Sequence, residues 1–169
     1  MHWKGATMHA DENPSTLHTG QGALAGESNV VCVRPDSPVT EAVSLMREHH
    51  VGDVVVVEQG EGGYKPVGVL TDRDVALEIV ATGRDPREVL VRDLMTRSVA
   101  TAAMEDDLFT MLEIMKANGV TRLPVVDERG DLAGIVTTRT LFEVLLDGLM
   151  DLAEISERQH REEEVRGEH

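Results

Sequence analysis

The sequence predicts an α/β protein made of two repeated β-α-β-β-α units. Three observations predict it. First, one segment occurs twice: Val51-Gly52-Asp53-Val54-Val55-Val56-Val57 aligns with Val120-Thr121-Arg122-Leu123-Pro124-Val125-Val126 at an offset of 69 residues. Gly68-Val69-Leu70-Thr71 then aligns with Gly134-Ile135-Val136-Thr137 at an offset of 66, so the second copy has the shorter internal loop. Second, apolar residues alternate between β-branched runs and stripes at helical spacing. Third, hydrophobic residues make up 41% of the chain and aromatic ones only 2%, which implies an aliphatic core. A tandem duplication normally buries each unit against its twin, and the cleft between two such halves is the first place to look for a ligand.

The elements follow in order. Residues 1–27 are rich in Gly, Thr, Ser, His and Asn without an apolar period, and read as a flexible tail. The first repeat covers 28–84. Val30 to Val33 is a short strand. Ser37 is the expected helix cap, with Pro38 at the first helical position. Val39, Ala42, Val43 and Met46 form an amphipathic stripe ending near His49. Val54 to Val57 is a β-branched run suited to a strand buried on both faces. Gly60 to Gly63 is a turn and Pro66 to Leu70 the return strand. A helix is expected from about Asp74 to Ala81, stopped by Gly83.

Residues 85–97 form a linker. Asp85-Pro86-Arg87-Glu88 opens a short helix by the same cap-then-proline logic. The second repeat covers 98–148. Asp106 is its expected cap, Leu108, Met111, Leu112 and Met115 its stripe, and Asn118-Gly119 its helix end. Leu123 to Val126 and Leu132 to Val136 are the paired strands around a turn at Glu128 to Asp131. Thr140-Leu141-Phe142-Glu143 reads as a capping box. The last helix carries Leu141, Leu145, Leu149, Leu152 and Ile155. Residues 149–169 form an acidic helical tail that dissolves near Arg161-Glu162-Glu163-Glu164.

Composition narrows the function. The net charge is −15, which repels polyanions at long range. One Trp, one Tyr and two Phe cannot tile a base-stacking platform, so no nucleic-acid partner is expected. No apolar run approaches the ~20 residues of a membrane span, and the first residues lack the apolar stretch of a signal peptide. The single cysteine, Cys32, lies in an apolar run and suits a reducing cytoplasm.

Three stretches carry a family resemblance: Gly68-Val69-Leu70-Thr71-Asp72-Arg73-Asp74, the linker Val91-Arg92-Asp93-Leu94-Met95-Thr96, and Val120-Thr121-Arg122-Leu123-Pro124-Val125-Val126-Asp127. Together they resemble a tandem pair of CBS domains, a Bateman module, over about residues 29–148. The resemblance implies that the two units pack with pseudo-two-fold symmetry into a disc with two clefts, which commonly bind adenosine nucleotides or related adenosyl ligands. The residues suggest a compatible chemistry. Thr71 offers a hydroxyl, a helix N-terminus offers amides to a phosphate, and Asp74 can accept two bonds from a ribose diol. The competing reading is that Asp74 only caps its helix.

Carried over by position, the first cleft combines Val69, Thr71 and Asp74 with Ala100, Val120 and Thr121, and Arg122 approaches the phosphates. The second combines Ile135, Thr137 and Thr140 with Val31, Val51 and Gly52. There the sequence departs from the pattern. Thr140 replaces the acid, and Asp53 stands at the position equivalent to Arg122, where its charge opposes a phosphate. Arg139 and Arg34 are the available compensating cations.

Other motifs carry less. Gly20 to Ala25 resembles a dinucleotide fingerprint, but no strand precedes it. His49-His50 diverge by ~100° on a helix, which disfavours a metal pair. Cys32 reads as a core residue, and Met46, Met111 and Met115 as core and dimer packing. No nucleophile–base pair, metal cluster or phosphate-binding loop of an enzyme is present in the sequence. The expectation is a regulatory or sensor module that is not an enzyme, needs no cofactor, and binds an adenosine nucleotide (AMP, ADP or ATP) or adenosyl ligand. It is expected to pair as a homodimer and to act on an effector protein. The alternative is an interaction or scaffold module with vestigial sites.

Overall fold

The computed structural model describes residues 16–18 and 29–167. Its strands are β1 (Thr16–His18), β2 (Asn29–Val33), β3 (Asp53–Gln59), β4 (Tyr64–Thr71), β5 (Ala102–Ala103), β6 (Arg122–Val126) and β7 (Leu132–Thr137). Its helices are α1 (Val39–His49), α2 (Asp72–Val75), α3 (Leu108–Asn118) and α4 (Thr138–Gly167). A π-helical turn, Ala76–Val80, extends α2, and 3-10 turns occupy Pro86–Glu88 and Val91–Asp93. The strands form one sheet in the order β1-β2-β3-β4 and another in the order β5-β6-β7.

Each repeat follows one plan. β2 runs parallel to β3 and β5 parallel to β6, which requires a crossover, supplied by α1 and α3. β3–β4 and β6–β7 are antiparallel hairpins. Both carry an irregularity at equivalent places, between Val56/Val57 and between Val125/Val126.

The valine run explains the layering. Successive strand side chains face opposite sides, and Val54 and Val56 pack with Val31, Val33, Ala42, Leu45, Met46, Leu70 and Val91 on the helix side. Val55 and Val57 pack with Val30, Cys32 and Tyr64 and with Leu132 and Ile135 of the other repeat. The first sheet is thus buried on both faces, and its second face meets the second repeat. Met111, Met115, Leu123, Val125, Val136 and Leu141 form the separate core of that repeat.

The linker is a strap rather than a tether. Val39 N–H donates to Val89 O at 2.9 Å and Val91 N–H to Ser37 O at 2.9 Å. Val69 and Thr96 exchange two backbone bonds, at 3.1 and 2.9 Å.

Several boundaries differ from expectation. Ser37 does not cap α1. Pro38 is the cap residue, in extended conformation, because it bridges to Leu90 of the strap. Asp107, not Asp106, caps α3 and accepts from Thr110 N–H at 2.8 Å, while Asp106 accepts from Ala103 N–H. α2 starts at Asp72 because Thr71 is its cap. α4 starts at Thr138 and continues through Gly167 instead of dissolving near Arg161. Within the stretch expected as a tail, Thr16–His18 pairs antiparallel with β2. The remainder of that stretch, with the Gly20 to Ala25 motif, lies outside the described residues.

Candidate functional site

The site is built where β3, β4 and the start of α2 meet β6. Thr71 ends β4 and its geometry is fixed by reciprocal capping. Its Oγ1 accepts from Asp74 N–H at 3.1 Å, and its own N–H and hydroxyl both donate to Asp74 Oδ2, at 3.0 and 2.7 Å. Both donations land on one carboxylate oxygen, so Oδ1 of the half-buried Asp74 stays open to a further donor. Asp74 thus takes part in the cap from the third helical position, with Thr71 rather than Asp74 as the cap residue, and its Oδ1 is left over. The Thr71 hydroxyl, expected as a free donor, is instead engaged by Asp74.

Asp53 stands directly across the ladder from Thr71. From the other repeat, Arg122 Nε reaches Asp53 Oδ1 at 3.0 Å. Positions 53 and 122 are equivalent in the two repeats, so the pair spans the pseudo-two-fold axis. The expectation that Asp53 belongs to the second cleft alone is corrected here, because it joins Arg122 to Thr71 and Asp74. Asp53 pairs with that guanidinium, and Asp72 and Asp74 lie on the turn that follows Thr71. The Asp72 carboxylate lies beside Gly52, within ordinary contact of a Cβ placed there.

The helix start offers a phosphate less than expected. Asp72 N–H donates to Gly52 O at 2.8 Å, and Asp74 N–H is used by Thr71. The remaining first-cleft residues are framework. Val69 is tied through its backbone to Thr96. Ala100 and Val120 pack at the edge of the second core, and Thr121 O accepts from Thr138 N–H at 2.9 Å.

The second set of residues is organised differently. Thr137 Oγ1 accepts from Thr140 N–H at 3.1 Å and shares a hydrogen bond with Thr140 Oγ1 at 3.0 Å. Thr137 is thus the cap of α4. The expected Thr140 capping box is absent, because Thr140 sits one turn inside the helix and Glu143 pairs with Arg139 at 2.9 Å. Arg139 is largely exposed in that pair, and Arg34 is also exposed. Ile135 and Val31 are buried in two different core clusters. Val51 is packed against the first core, and its N–H donates to Met46 O at 3.0 Å.

One junction escaped the sequence reading. Asp131, buried in the turn between β6 and β7, packs on the Gly60–Gly63 turn of the first repeat. A Cβ on Gly63 would lie 3.1 Å from Asp131 Cγ, and one on Gly60 would lie 3.0 Å from Asp131 Oδ1. The glycine run in the sequence was the only signal, and a turn alone already explains it.

Cys32 is buried, and burial pushes its thiol well above the usual range, which makes it inert rather than nucleophilic. Among the described residues no group of three or more His, Cys, Asp or Glu is arranged to hold a metal, and no helix is long and apolar enough to cross a membrane.

This geometry, two equivalent strand-helix units meeting across an axis with a capped acid beside it, defines a class of paired-repeat module. The CBS domain family model matches residues 26–81 and 91–147, and the chain belongs to that family. It is 38% identical over 109 residues to the CBS domain-containing protein YhcV of Bacillus subtilis, covering 64% of this chain and 74% of that protein. It is 34% identical over 116 residues to an uncharacterized protein of Methanopyrus kandleri, covering 69% of this chain and 58% of that protein. It is also 35% identical over 116 residues to inosine-5′-monophosphate dehydrogenase of Methanocaldococcus jannaschii, covering 68% of this chain but only 21% of the enzyme. Among solved structures, Hypoxic Response Protein I, determined with two coordinated zinc ions, superposes with a TM-score of 0.60 at 30% identity, covering 68% of this chain and 89% of that one.

Proposed function

We propose that this protein is a regulatory module, not an enzyme, that binds an adenosine nucleotide or related adenosyl ligand in its first cleft. The observation that carries the reading is Asp74. Its Oδ2 is held by Thr71, which fixes the carboxylate's orientation, and its Oδ1 remains open next to Thr71, whose ladder partner Asp53 pairs with Arg122 of the other repeat. A carboxylate so fixed accepts a ribose diol with little ordering cost. A ligand bridging Asp74 and the Val120–Arg122 segment would favour one relative placement of the two repeats. The match to about a fifth of a dehydrogenase supports a module that serves larger proteins.

Output would pass through protein contacts. We propose a cytoplasmic homodimer that acts on an effector protein, with no cofactor and no metal required. Support comes from the apolar face of α4. Leu145, Leu149, Leu152 and Ile155 are exposed by 38%, 63%, 63% and 55%. Phe142 and Phe109 add to the exposed apolar surface on α4 and α3. Contiguous apolar surface of this kind marks an interaction site.

Isothermal titration with adenosine, AMP, ADP, ATP and S-adenosylmethionine tests the ligand reading. Saturable binding with one ligand per chain is expected. Absence of binding by all five at millimolar concentration would refute it in favour of a scaffold with vestigial sites.

A further inference from the structure

The last helix carries more apolar surface than its own repeat covers. Leu141, Leu145, Gly148, Leu152 and Ile155 recur at spacings of four and three, so they share one face of α4. Leu141 is fully buried in the core of the second repeat. The same face then leaves that core, and every residue from Leu145 to Ser156 is exposed. Resting on the homodimer reading, we infer that this free length of α4 crosses its counterpart from a second copy in antiparallel sense, with Gly148 at the crossing point.

Gly148 marks the crossing. A glycine inside a helix weakens it. Apart from the helix itself, nothing among the described residues lies within 4 Å of a Cβ built on Gly148, so no packing within the described chain requires a glycine there. A backbone approaching from outside does, because a side chain at that position would hold two crossing helices apart. Leu145, Leu149 and Leu152 on the adjoining turns supply the rest of the contact. Seven large apolar side chains between Phe142 and Ile155 are between 38% and 66% exposed. Covering them on two copies would remove on the order of 1,200 Å², the lower end of a specific interface. Charge sets the sense of the pairing. Residues 149–169 hold seven Asp or Glu and three Arg, a net of 3 − 7 = −4. Parallel helices would set two such acidic ends side by side. Antiparallel helices carry them to opposite ends of the contact and also oppose the two macrodipoles.

Sedimentation equilibrium of the full chain tests this with wild type, Gly148→Ala and Gly148→Leu, each checked for folding by its melting curve. Wild type is expected to be a dimer at tens of micromolar. Gly148→Leu should weaken the dimer at least about tenfold even though leucine favours the helix, and Gly148→Ala should fall between. Gly148→Cys should give a disulfide-linked dimer under mild oxidation, because the two introduced thiols meet at the crossing while Cys32 is buried. Ile155→Cys should not. It lies seven residues away, about 10 Å along each helix, so its two thiols would stand roughly 20 Å apart in the antiparallel pair. Equal linkage at 148 and 155 would make the pairing parallel and overturn the antiparallel sense. A Gly148→Leu dimer of unchanged affinity, or no linkage at 148, would overturn the crossing. Each of these results leaves the homodimer reading intact. A monomeric wild type refutes that reading and the crossing together, and leaves the face to another occupant, either residues of this chain outside the described ones or a different protein.

Discussion

Replacing Asp74 by Ala separates the two roles that its carboxylate combines. Oδ2 accepts from the Thr71 N–H and hydroxyl, so the variant loses both of these hydrogen bonds, while the Asp74 N–H keeps its bond to Thr71 Oγ1. Loss of capping interactions costs about 0.5–2 kcal/mol. For a chain of this size each kcal/mol lowers Tm by about 2–4 °C, so melting should fall by a few degrees. Binding suffers separately. In the proposed complex Oδ1 is the acceptor for the ribose diol, because Oδ2 already accepts two bonds. Charge-assisted hydrogen bonds contribute about 1.5–3 kcal/mol each, but truncation also relieves carboxylate desolvation. The net expected loss is about 1.5–3 kcal/mol, or roughly 10- to 150-fold in Kd. Asp74→Asn retains an acceptor without the charge and should fall between wild type and Ala. Calorimetry and thermal melts on the same preparations read both effects. Thr140→Ala is the control, since Thr140 should affect stability and not affinity. An Asp74→Ala variant that melts lower but binds adenosine with unchanged Kd would refute the ligand role and leave only the cap. Equal affinity losses in Asp74→Ala and Thr140→Ala would refute the assignment of the first cleft as the principal site.

Four further outcomes are expected. Thr137→Ala should destabilise more than Thr140→Ala, by about 0.5–2 kcal/mol in denaturant unfolding, because Thr137 is the cap of α4. His50 closes α1 in the left-handed region with φ 54°, where the equivalent residue of α3 is Gly119 with φ 65°, so His50→Gly should raise stability by about 0.5–1 kcal/mol in the same assay. Gly68→Ala should cost about 1–3 kcal/mol, because its Cβ would lie 2.6 Å from Met95 Sδ and 3.1 Å from the Thr96 carbonyl of the strap. Leu149→Asp with Leu152→Asp should convert a dimer to monomers in light scattering at tens of micromolar, since a specific interface buries at least ~1,200 Å²; an unchanged mass would remove α4 from the interface.

The repeat, the layering and most strands were legible because they rest on patterns with a fixed period. Val54 to Val57 could only be a strand with two buried faces, and its alternating side chains do divide between two cores. Caps were less legible, because neighbouring residues compete for one job. Asp106 and Asp107 both suit a cap, and the backbone of Ala103 claims the first. Thr137 and Thr140 stand three apart, so either can begin a helix, and the choice follows from where β7 ends. Ser37 lost its role through a long-range contact, the bridge from Pro38 to Leu90. In the candidate site the Thr71–Asp74 pair was legible as local spacing. The Asp53–Arg122 pair was missed although its signal was present, because the two positions were assigned to separate clefts instead of to a shared axis.

That axis accounts for the unequal sites. A residue lying near a pseudo-two-fold axis meets its own equivalent in the other repeat. At 3.0 Å, two carboxylates or two guanidinium groups in a sheltered place would repel strongly, so positions 53 and 122 must carry opposite charges or none. With an ion pair at this position, the two clefts cannot be electrostatically equivalent. The arginine is contributed by the β6 side and the acid by the β3 side, beside Thr71. The same unevenness recurs one helical turn away, where the first repeat places Asp74 and the second Thr140. Thr137 and Thr140 answer each other's polar atoms within the helix start, whereas the Thr71–Asp74 pair leaves a charged oxygen open. Opposite charge at the axis and an open carboxylate in only one repeat both distinguish the first cleft from the second.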